Sequence, residues 1–357
     1  MGTGLVVYLV LGDAIGMALS ALMPYLPPWM HNRLALYMAV FAGSLPALFL
    51  FTLWARSGHR AFLSRAGAAG GEDTAACGGA AGGASSAVCA DAAGSAGAAV
   101  CADAAGYAGA AGDRSFRAAC GAPKRRMKPW QFFMTFVMTM GIAYLFNFLG
   151  MIINALISAA GGGNPMDMNP VYSAMDGMDP YMAAYVGILG PVVEEIVYRG
   201  AVLGTVRPFG DREAVIFSAV AFGLMHGNLS QALYATAIGM IFGFVTVRSG
   251  SIFYSCILHI MVNGYALLIS LALQAAGAGP AFEILSAAVF LMILIFAAAG
   301  MIFLGILLYR GSLRLSSGAE SMGESRFSVT AALFFNPGFG IFALVCMLSV
   351  ARYLMAG

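Results

Sequence analysis

The chain has 357 residues, of which 61% are hydrophobic and 10% are charged. With a mean hydropathy of +0.85, this composition excludes an ordinary soluble globular protein and is typical of an integral membrane protein. The net charge of +2 gives no indication of nucleic-acid binding, because the basic residues are spread along loops between apolar segments.

Apolar runs that are long enough to cross a bilayer recur along the chain. A run of about 18 or more residues is typical of a membrane-spanning helix. We count about nine such runs, which predicts an all-α, polytopic membrane protein. The fifth run is short, and we expect its neighbours to cover it. The predicted spans are residues 4–27, 34–54, 130–158, 181–205, 213–229, 231–248, 251–275, 283–309 and 328–351.

The basic residues predict how these helices are oriented. Lys and Arg side chains are concentrated between the second and third predicted spans, and further arginines fall at every second junction after that. The loop that carries Asp167, Asp176 and Asp179 has neither Lys nor Arg. By the positive-inside rule, the N-terminus and the basic loops are cytoplasmic.

The loop between the second and third predicted spans contains a low-complexity insert. Residues 66–123 are dominated by Ala and Gly, and VCADAAGSAGAA is followed at once by VCADAAGYAGAA. Such a segment has too little large apolar surface to offset the entropy lost on ordering, which predicts a cytoplasmic insert without a packed core. Cys77, Cys89 and Cys101 lack a Cys-x-x-Cys pair or a nearby histidine, so we interpret them as free thiols.

The fourth predicted span contains the sequence GPVVEEIVYRG, which places charged residues where a bilayer disfavours them. Glu195 and Arg199 are four residues apart with the acid first, and this spacing favours an ion pair on one helix face. Glu194 is rotated by about 100° from Glu195, so the arginine does not hold it in the same way. We interpret Glu195 as structural and Glu194 as free for chemistry. The alternative for Glu195 and Arg199 is an ion pair that only joins helices.

Two histidines also lie at membrane depth. His226 follows Phe222 by four residues, and we expect the phenyl ring to pack beside the imidazole. His259 and Asn263 share one face of the seventh predicted span. Counted from the cytoplasmic basic residues, Glu194, His226, His259 and Asn263 lie roughly 16–22 Å along their helices. This common depth predicts that they form one site.

The predicted set of side chains allows two kinds of hydrolytic chemistry. A carboxylate and an imidazole can take a proton from water, while a second imidazole and an amide donate hydrogen bonds to an oxyanion. Alternatively, His226, His259 and Glu194 match the two-His, one-Glu ligand set of catalytic zinc sites, although the chain has no His-Glu-x-x-His motif. We therefore expect either no cofactor or zinc, and we favour a bound water without metal.

Three stretches of the chain resemble, in order, the three motifs of the CPBP family. These stretches are EEIVYR at 194–199, FGLMH at 222–226 and HIMVN at 259–263. The family comprises intramembrane endopeptidases related to type II CAAX prenyl proteases and to bacterial Abi proteins. The resemblance implies that Glu194 and His226 activate water and that His259 and Asn263 stabilise the oxyanion. It leaves open whether the enzyme is glutamate-dependent or a metalloprotease.

The resemblance covers about residues 130–275 and divides the chain. We expect two N-terminal helices in 1–54, a basic cytoplasmic loop with the insert in 55–129, the protease core in 130–275 and further membrane helices in 276–357. The partners implied are membrane lipid and a peptide or lipidated protein, in a bacterial cytoplasmic membrane. CAAX-type processing, peptide maturation and bacteriocin self-immunity are all functions consistent with this resemblance.

Two other functions stay open at the level of sequence. A proton- or ion-coupled transporter also places ionisable residues near the middle of a membrane and uses helices broken by proline. Transporters often have repeated halves, however, and the glutamate motif has no counterpart elsewhere in the chain. A non-catalytic membrane scaffold would be favoured if motif residues were missing, and none is.

Overall fold

A computed structural model describes most of the C-terminal two thirds of the chain. This part is helical and contains no strand, as the sequence predicts. Four of its helices are long and apolar enough to cross a membrane, so about nine spans for the whole chain stays a prediction. The first two predicted spans and the cysteine repeats lie outside the described residues. The structure describes residues 121–161, 178, 180–316 and 326–356.

Seven α-helices and one composite helix make up this structure. The composite helix covers residues 180–206 and carries both glutamates, and we call it the glutamate helix. It lies between α1 and α2 in chain order. The α-helices are α1 (Pro129–Gly161), α2 (Asp211–Met225), α3 (Leu229–Ser249), α4 (Phe253–Ala276), α5 (Pro280–Tyr309), α6 (Arg326–Phe334) and α7 (Pro337–Ala356).

The glutamate helix departs from the regular helix that its sequence predicts. It contains two π-helical segments, in which each N–H bonds to the carbonyl five residues earlier. Pro191 has no N–H to contribute to a regular ladder, and a π-helical segment lies immediately before its turn. In chain order the pieces are α-helical Pro180–Ala184, π-helical Tyr185–Leu189, α-helical Gly190–Glu195, π-helical Ile196–Val202 and α-helical Leu203–Val206.

Helices α2 and α3 form a hairpin with a tight turn. The predicted fifth span, 213–229, is wrong at its end, because α2 stops at Met225 and His226 lies in the turn. Fifteen residues of helix give a length of about 22 Å, which is shorter than the hydrocarbon core of a bilayer. Gly227 makes the turn possible, since its φ of +63° is a left-handed conformation that glycine adopts without a steric cost.

The predicted last span, 328–351, is two helices rather than one. Helix α6 ends at Phe334 and α7 begins at Pro337, where a proline at the first helical position needs no hydrogen-bond donor. Asn336 caps the second helix, because its side-chain oxygen accepts a hydrogen bond from the Phe339 amide at 2.9 Å. Both helices pack against the short helix α2.

Helix α3 lies at the centre of the described structure. It packs against α2 on one side and against α1 on the other, while α4 packs against both α3 and the glutamate helix. One apolar cluster joins the glutamate helix, α2 and α7, and it includes Phe222. A second cluster joins α1, α3 and α4, and it includes Phe242. Both rings contact Arg199 and His259, so the candidate site lies between the two clusters.

The end of the predicted insert packs against the helices that follow it. Ser251, in the turn between α3 and α4, donates a hydrogen bond to the Gly121 carbonyl. The Arg125 amide donates to the Ser249 carbonyl at 3.1 Å, and the Met127 amide donates to the Tyr254 hydroxyl at 3.0 Å. Gly121, near the end of the predicted insert 66–123, therefore contacts the turn between α3 and α4.

Candidate active site

The predicted ion pair between Glu195 and Arg199 is present and fully buried. Arg199 Nη1 lies 3.1 Å from Glu195 Oε1, and neither side chain is exposed. Arg199 Nη2 also donates a hydrogen bond to the Gly239 carbonyl of α3 at 3.3 Å. A Cβ at Gly239 would lie 3.1 Å from this nitrogen, so the glycine leaves room for the guanidinium.

Two aromatic rings flank the buried guanidinium. The Arg199 Cζ atom lies 4.2 Å from the centroid of the Phe222 ring and 5.4 Å from that of Phe242. Such cation–π contacts are strongest where water is excluded. The prediction gave Phe222 the role of a wall beside His226, and the structure adds that it supports Arg199 as well.

A buried serine of α2 bonds to the π-helical segment around Arg199. Ser218 is fully buried, and its hydroxyl donates a hydrogen bond of 2.7 Å to the Tyr198 carbonyl. The same carbonyl also accepts the Leu203 amide within the helix. The serine bond ties the glutamate helix to α2, the helix that leads to His226.

His259 lies between the two glutamates. Its Nδ1 atom is 3.0 Å from Glu195 Oε1, and its Nε2 atom is 3.6 Å from Glu194 Oε2. The ring packs edge-on against Phe222 at 5.7 Å and at a tilt against Phe242 at 5.2 Å. Because Glu195 also pairs with Arg199, it is a carboxylate that accepts a hydrogen bond from Nδ1–H and fixes the orientation of the imidazole.

The two neighbouring glutamates have different environments, as predicted from their rotation on the helix. The Glu195 side chain is fully buried, whereas 27% of the Glu194 side chain is exposed. Glu194 lies near Nε2 of His259, whereas Glu195, which pairs with Arg199, lies near Nδ1. Glu194 also interacts electrostatically with His226. Glu194 is therefore the carboxylate that water can reach.

His226 is held by the backbone at the end of α2. Its Nδ1 atom lies 2.9 Å from the Phe222 carbonyl. Since a carbonyl can only accept, Nδ1 carries the proton, and the Nε2 lone pair is the acceptor of the ring. The imidazole stands perpendicular to the Phe222 ring at a centroid distance of 5.0 Å, so Phe222 contacts both histidines.

Asn263 bonds to the backbone of the glutamate helix. Its Nδ2 atom donates a hydrogen bond of 3.0 Å to the Val186 carbonyl, within the first π-helical segment. One of its two amide hydrogens is therefore occupied, and the other is available to a ligand. The structure brings Asn263 to the same pair of helices as His259, while its role in binding an oxyanion stays a prediction.

Several residues of the site were not identified from the sequence. Helix α3 contributes Gly239 and Phe242, which have no charged or nucleophilic group to mark them. Ser218 and Asn228 are both fully buried, and a polar side chain within an apolar run was the signal that could have found them. Asn228 lies two residues after His226, just beyond the motif FGLMH at 222–226.

The sequence offers His226, His259 and Glu194 as alternative zinc ligands. Among the residues that the structure describes, no group of three or more His, Cys, Asp or Glu side chains could hold a metal ion. Glu194 Oε2 lies 3.6 Å from His259 Nε2, and a zinc site at these residues stays a prediction from the sequence.

Comparisons with known proteins identify the same part of the chain. The sequence model of the Rce1-like family, described as type II CAAX prenyl endopeptidase Rce1-like, matches residues 177–265. The chain is 31% identical over 93 residues to the "Putative membrane peptidase YdiL" of Bacillus subtilis (strain 168). The match covers 26% of this chain and 38% of that relative. No solved structure matches. Residues 177–265, which contain all three motifs, are therefore similar to the Rce1-like family of type II CAAX prenyl endopeptidases.

Proposed function

We propose that this chain is an intramembrane endopeptidase that hydrolyses a peptide bond in a membrane-associated peptide or protein. The observation that carries this proposal is the position of His259, 3.0 Å from the buried Glu195 and 3.6 Å from the partly exposed Glu194. An imidazole that one carboxylate orients, beside a second carboxylate that is partly exposed, places a hydrogen-bond donor next to a candidate general base. The family match supports a protease over a transporter or a scaffold.

Glu194 is the general base in this proposal, and His226 orients the water. Water donates a hydrogen bond to the Nε2 lone pair of His226 and a proton to Glu194, while its oxygen attacks the peptide carbonyl carbon. The carbonyl electron pair moves to oxygen and gives a tetrahedral oxyanion. When that intermediate collapses, the C–N bond breaks and protonated Glu194 gives its proton to the leaving nitrogen. Glu194 ends as a carboxylate, as it began.

His259 and Asn263 stabilise the oxyanion in this mechanism. With both ring nitrogens protonated, His259 donates Nδ1–H to Glu195 and Nε2–H to the oxyanion. Asn263 contributes the amide hydrogen that does not bond to Val186. Donors that are already oriented in a site of low dielectric stabilise developing charge strongly, because they do not have to reorganise.

Glu195 and Arg199 hold the site without taking part in the chemistry. The pair compensates two charges that burial would otherwise disfavour, and Glu195 orients His259. Phe222 separates the two imidazoles and lies under the guanidinium. These contacts explain why the doubled glutamate is useful: one carboxylate positions the histidine, and the other faces the water.

The orientation and the substrate class follow from the sequence. We propose that the N-terminus and the basic loops face the cytoplasm of a bacterial cell, and that the substrate enters from that side. A peptide or a lipidated protein fits a site within the membrane. CAAX-type processing, peptide maturation and bacteriocin self-immunity would each supply such a substrate.

The test compares peptide termini in membranes of cells that make the native chain or the Glu194→Gln variant. The substitution keeps the shape of the side chain and removes the base, so we expect cleavage to fall by about 10²–10⁴-fold. Glu283→Gln is the matched control, because Glu283 is an exposed acid in the first turn of α5. Termini that are identical in the native chain and Glu194→Gln, at equal expression, would overturn the protease function.

We propose further that the reaction needs no metal, and this proposal is supported by the described residues, among which no group of three or more His, Cys, Asp or Glu could hold an ion. Dialysis of the purified chain against a zinc chelator is then expected to leave the cleavage rate within about twofold of its starting value. A rate that falls by tenfold or more and returns on addition of zinc would replace this mechanism by a metalloprotease mechanism.

A further inference from the structure

Asn228 is a buried amide in the turn that carries His226. It is fully buried, and its Nδ2 atom donates a hydrogen bond of 3.1 Å to the His226 carbonyl. The same nitrogen contacts Gln231 Oε1. Its Oδ1 atom accepts a hydrogen bond from the Gln231 amide at 2.9 Å. Asn228 thus has two functions in one side chain, since it caps α3 and bonds to the backbone of His226.

The His226 carbonyl needs such a partner because of its place in the fold. The last carbonyls of a helix have no partner within the helix, and His226 is the residue that ends α2. Its own amide bonds to the Gly223 carbonyl at 3.2 Å, so its N–H continues the helix while its C=O points out of it. Asn228 fixes the direction of that carbonyl and therefore of the peptide planes on either side.

The ring of His226 depends on the same backbone. Its Nδ1 atom bonds to the Phe222 carbonyl, one turn earlier, and this bond fixes one ring nitrogen. The other nitrogen is oriented by the backbone of residue 226, and a shift of about 1 Å in a reacting group is enough to reduce a rate strongly. A side chain that holds this backbone therefore controls where Nε2 points.

A second buried asparagine supports the same hairpin without touching His226. Asn154 of α1 is 2% exposed, and its Nδ2 atom donates a hydrogen bond of 3.0 Å to the Ser230 hydroxyl at the start of α3. It resembles Asn228 in burial and residue type, but its partner is not the backbone of the histidine. Asn154 is therefore a matched control.

We infer that Asn228 is a positioning residue for hydrolysis, which acts through His226 by fixing the backbone that orients the imidazole. This inference rests on the proposed role of His226 in orienting water. Asn228 does not contact the reacting atoms. Its Nδ2 donor to His226 and its Oδ1 cap of α3 can be tested separately by substitution.

The test uses two substitutions at one position. Asn228→Ala removes the cap and the donor, whereas Asn228→Ser keeps an oxygen that can cap α3 but is too short to reach the His226 carbonyl. We expect Ala to lower both the thermal midpoint and kcat. We expect Ser to recover most of the midpoint but to leave kcat about tenfold low, with KM within about twofold. Asn154→Ala is expected to lower the midpoint and to leave kcat within about twofold.

A second readout needs no substrate. The chain has four histidines, so ¹⁵N-histidine labelling gives few ring signals, and His226→Gln assigns one of them. We expect Asn228→Ser, or Asn228→Asp if the serine variant does not fold, to shift or broaden the His226 signals and to leave those of His259 unchanged. A serine variant that recovers kcat together with stability, or unchanged His226 signals, would overturn the inference. Shifted His226 signals in a chain without peptidase activity would support the positioning role and refute the proposed function.

Discussion

Helices α3 and α5 are both long enough to span a membrane, but they differ in hydropathy and in how much of each is buried inside the protein. Helix α5 has a mean hydropathy of 2.8 in its most apolar window, and 6% of that window is buried inside the protein. For α3 the values are 1.5 and 50%. The less apolar helix is the one that other helices surround, because a polar group that faces lipid finds no partner there.

The site shows the same contrast in its charged residues. Helix α5 has one acid, Glu283, in its first turn, whereas the glutamate helix places two acids and an arginine against α3 and α4. Protein groups surround the fully buried members, Glu195 and Arg199, on several sides. Burial within the helical assembly, rather than the hydropathy of each helix, decides where charge is tolerated.

The largest expected effect on stability is that of removing one charge from the buried pair. Glu195→Gln leaves Arg199 as an uncompensated buried charge, which destabilises a protein by about 3–5 kcal/mol. The free energy of unfolding in detergent micelles measures the loss, and Glu283→Gln at the exposed end of α5 is the control. Equal stability of the two variants would show that the pair contributes nothing to the fold.

An intermediate effect is expected where a charge is placed on the lipid-facing helix. Ile295 is 57% exposed near the middle of α5, and a lysine at the centre of a spanning helix costs about 2.5–3.5 kcal/mol of insertion free energy. Ile295→Lys should therefore reduce the fraction of chains that insert α5, scored by modification of a site placed in the following loop. Ile295→Leu is the control. Full insertion of the lysine variant would mean that α5 is not surrounded by lipid.

The smallest expected effect concerns the turn that carries His226. Gly227→Ala places a side chain at a φ of +63°, where a Cβ would also lie 3.0 Å from Ser349 Cβ, and we expect a loss of about 1–2 kcal/mol. Gly305→Ala in α5 is the control, since nothing lies within 4 Å of a Cβ there. A destabilisation equal to that of the control, measured by thermal unfolding, would contradict the strained turn.

Much of the candidate site could be predicted because its residues carry charge in an apolar chain. The four-residue spacing of Glu195 and Arg199 predicts their ion pair. The rotation between neighbouring helical residues predicts that Glu194 lies outside this pair. His226 and His259 were grouped by depth alone. The contact of His259 with both glutamates was not predicted, since distances between helices depend on packing that one sequence does not specify.

The fold was less predictable where the backbone is irregular. The π-helical segments of the glutamate helix leave no clear hydrophobic pattern, and Pro191 indicated only that the ladder would be disturbed. The end of α2 at Met225 was missed because the apolar run continues past it. The break before Pro337 had a sequence signal, a proline after an asparagine, which the hydropathy of the surrounding residues concealed.

The sequence by itself determined the class of the protein, the helical character of the described part and the identity of the charged residues, because each follows from side-chain chemistry or from local periodicity. Only the tertiary structure decided how completely the Glu195–Arg199 pair is buried, which groups contact His259 and how the backbone of His226 is held. These depend on close contacts between helices that are distant in sequence. The same sequence pattern would form a different site if these helices packed one turn further along each other.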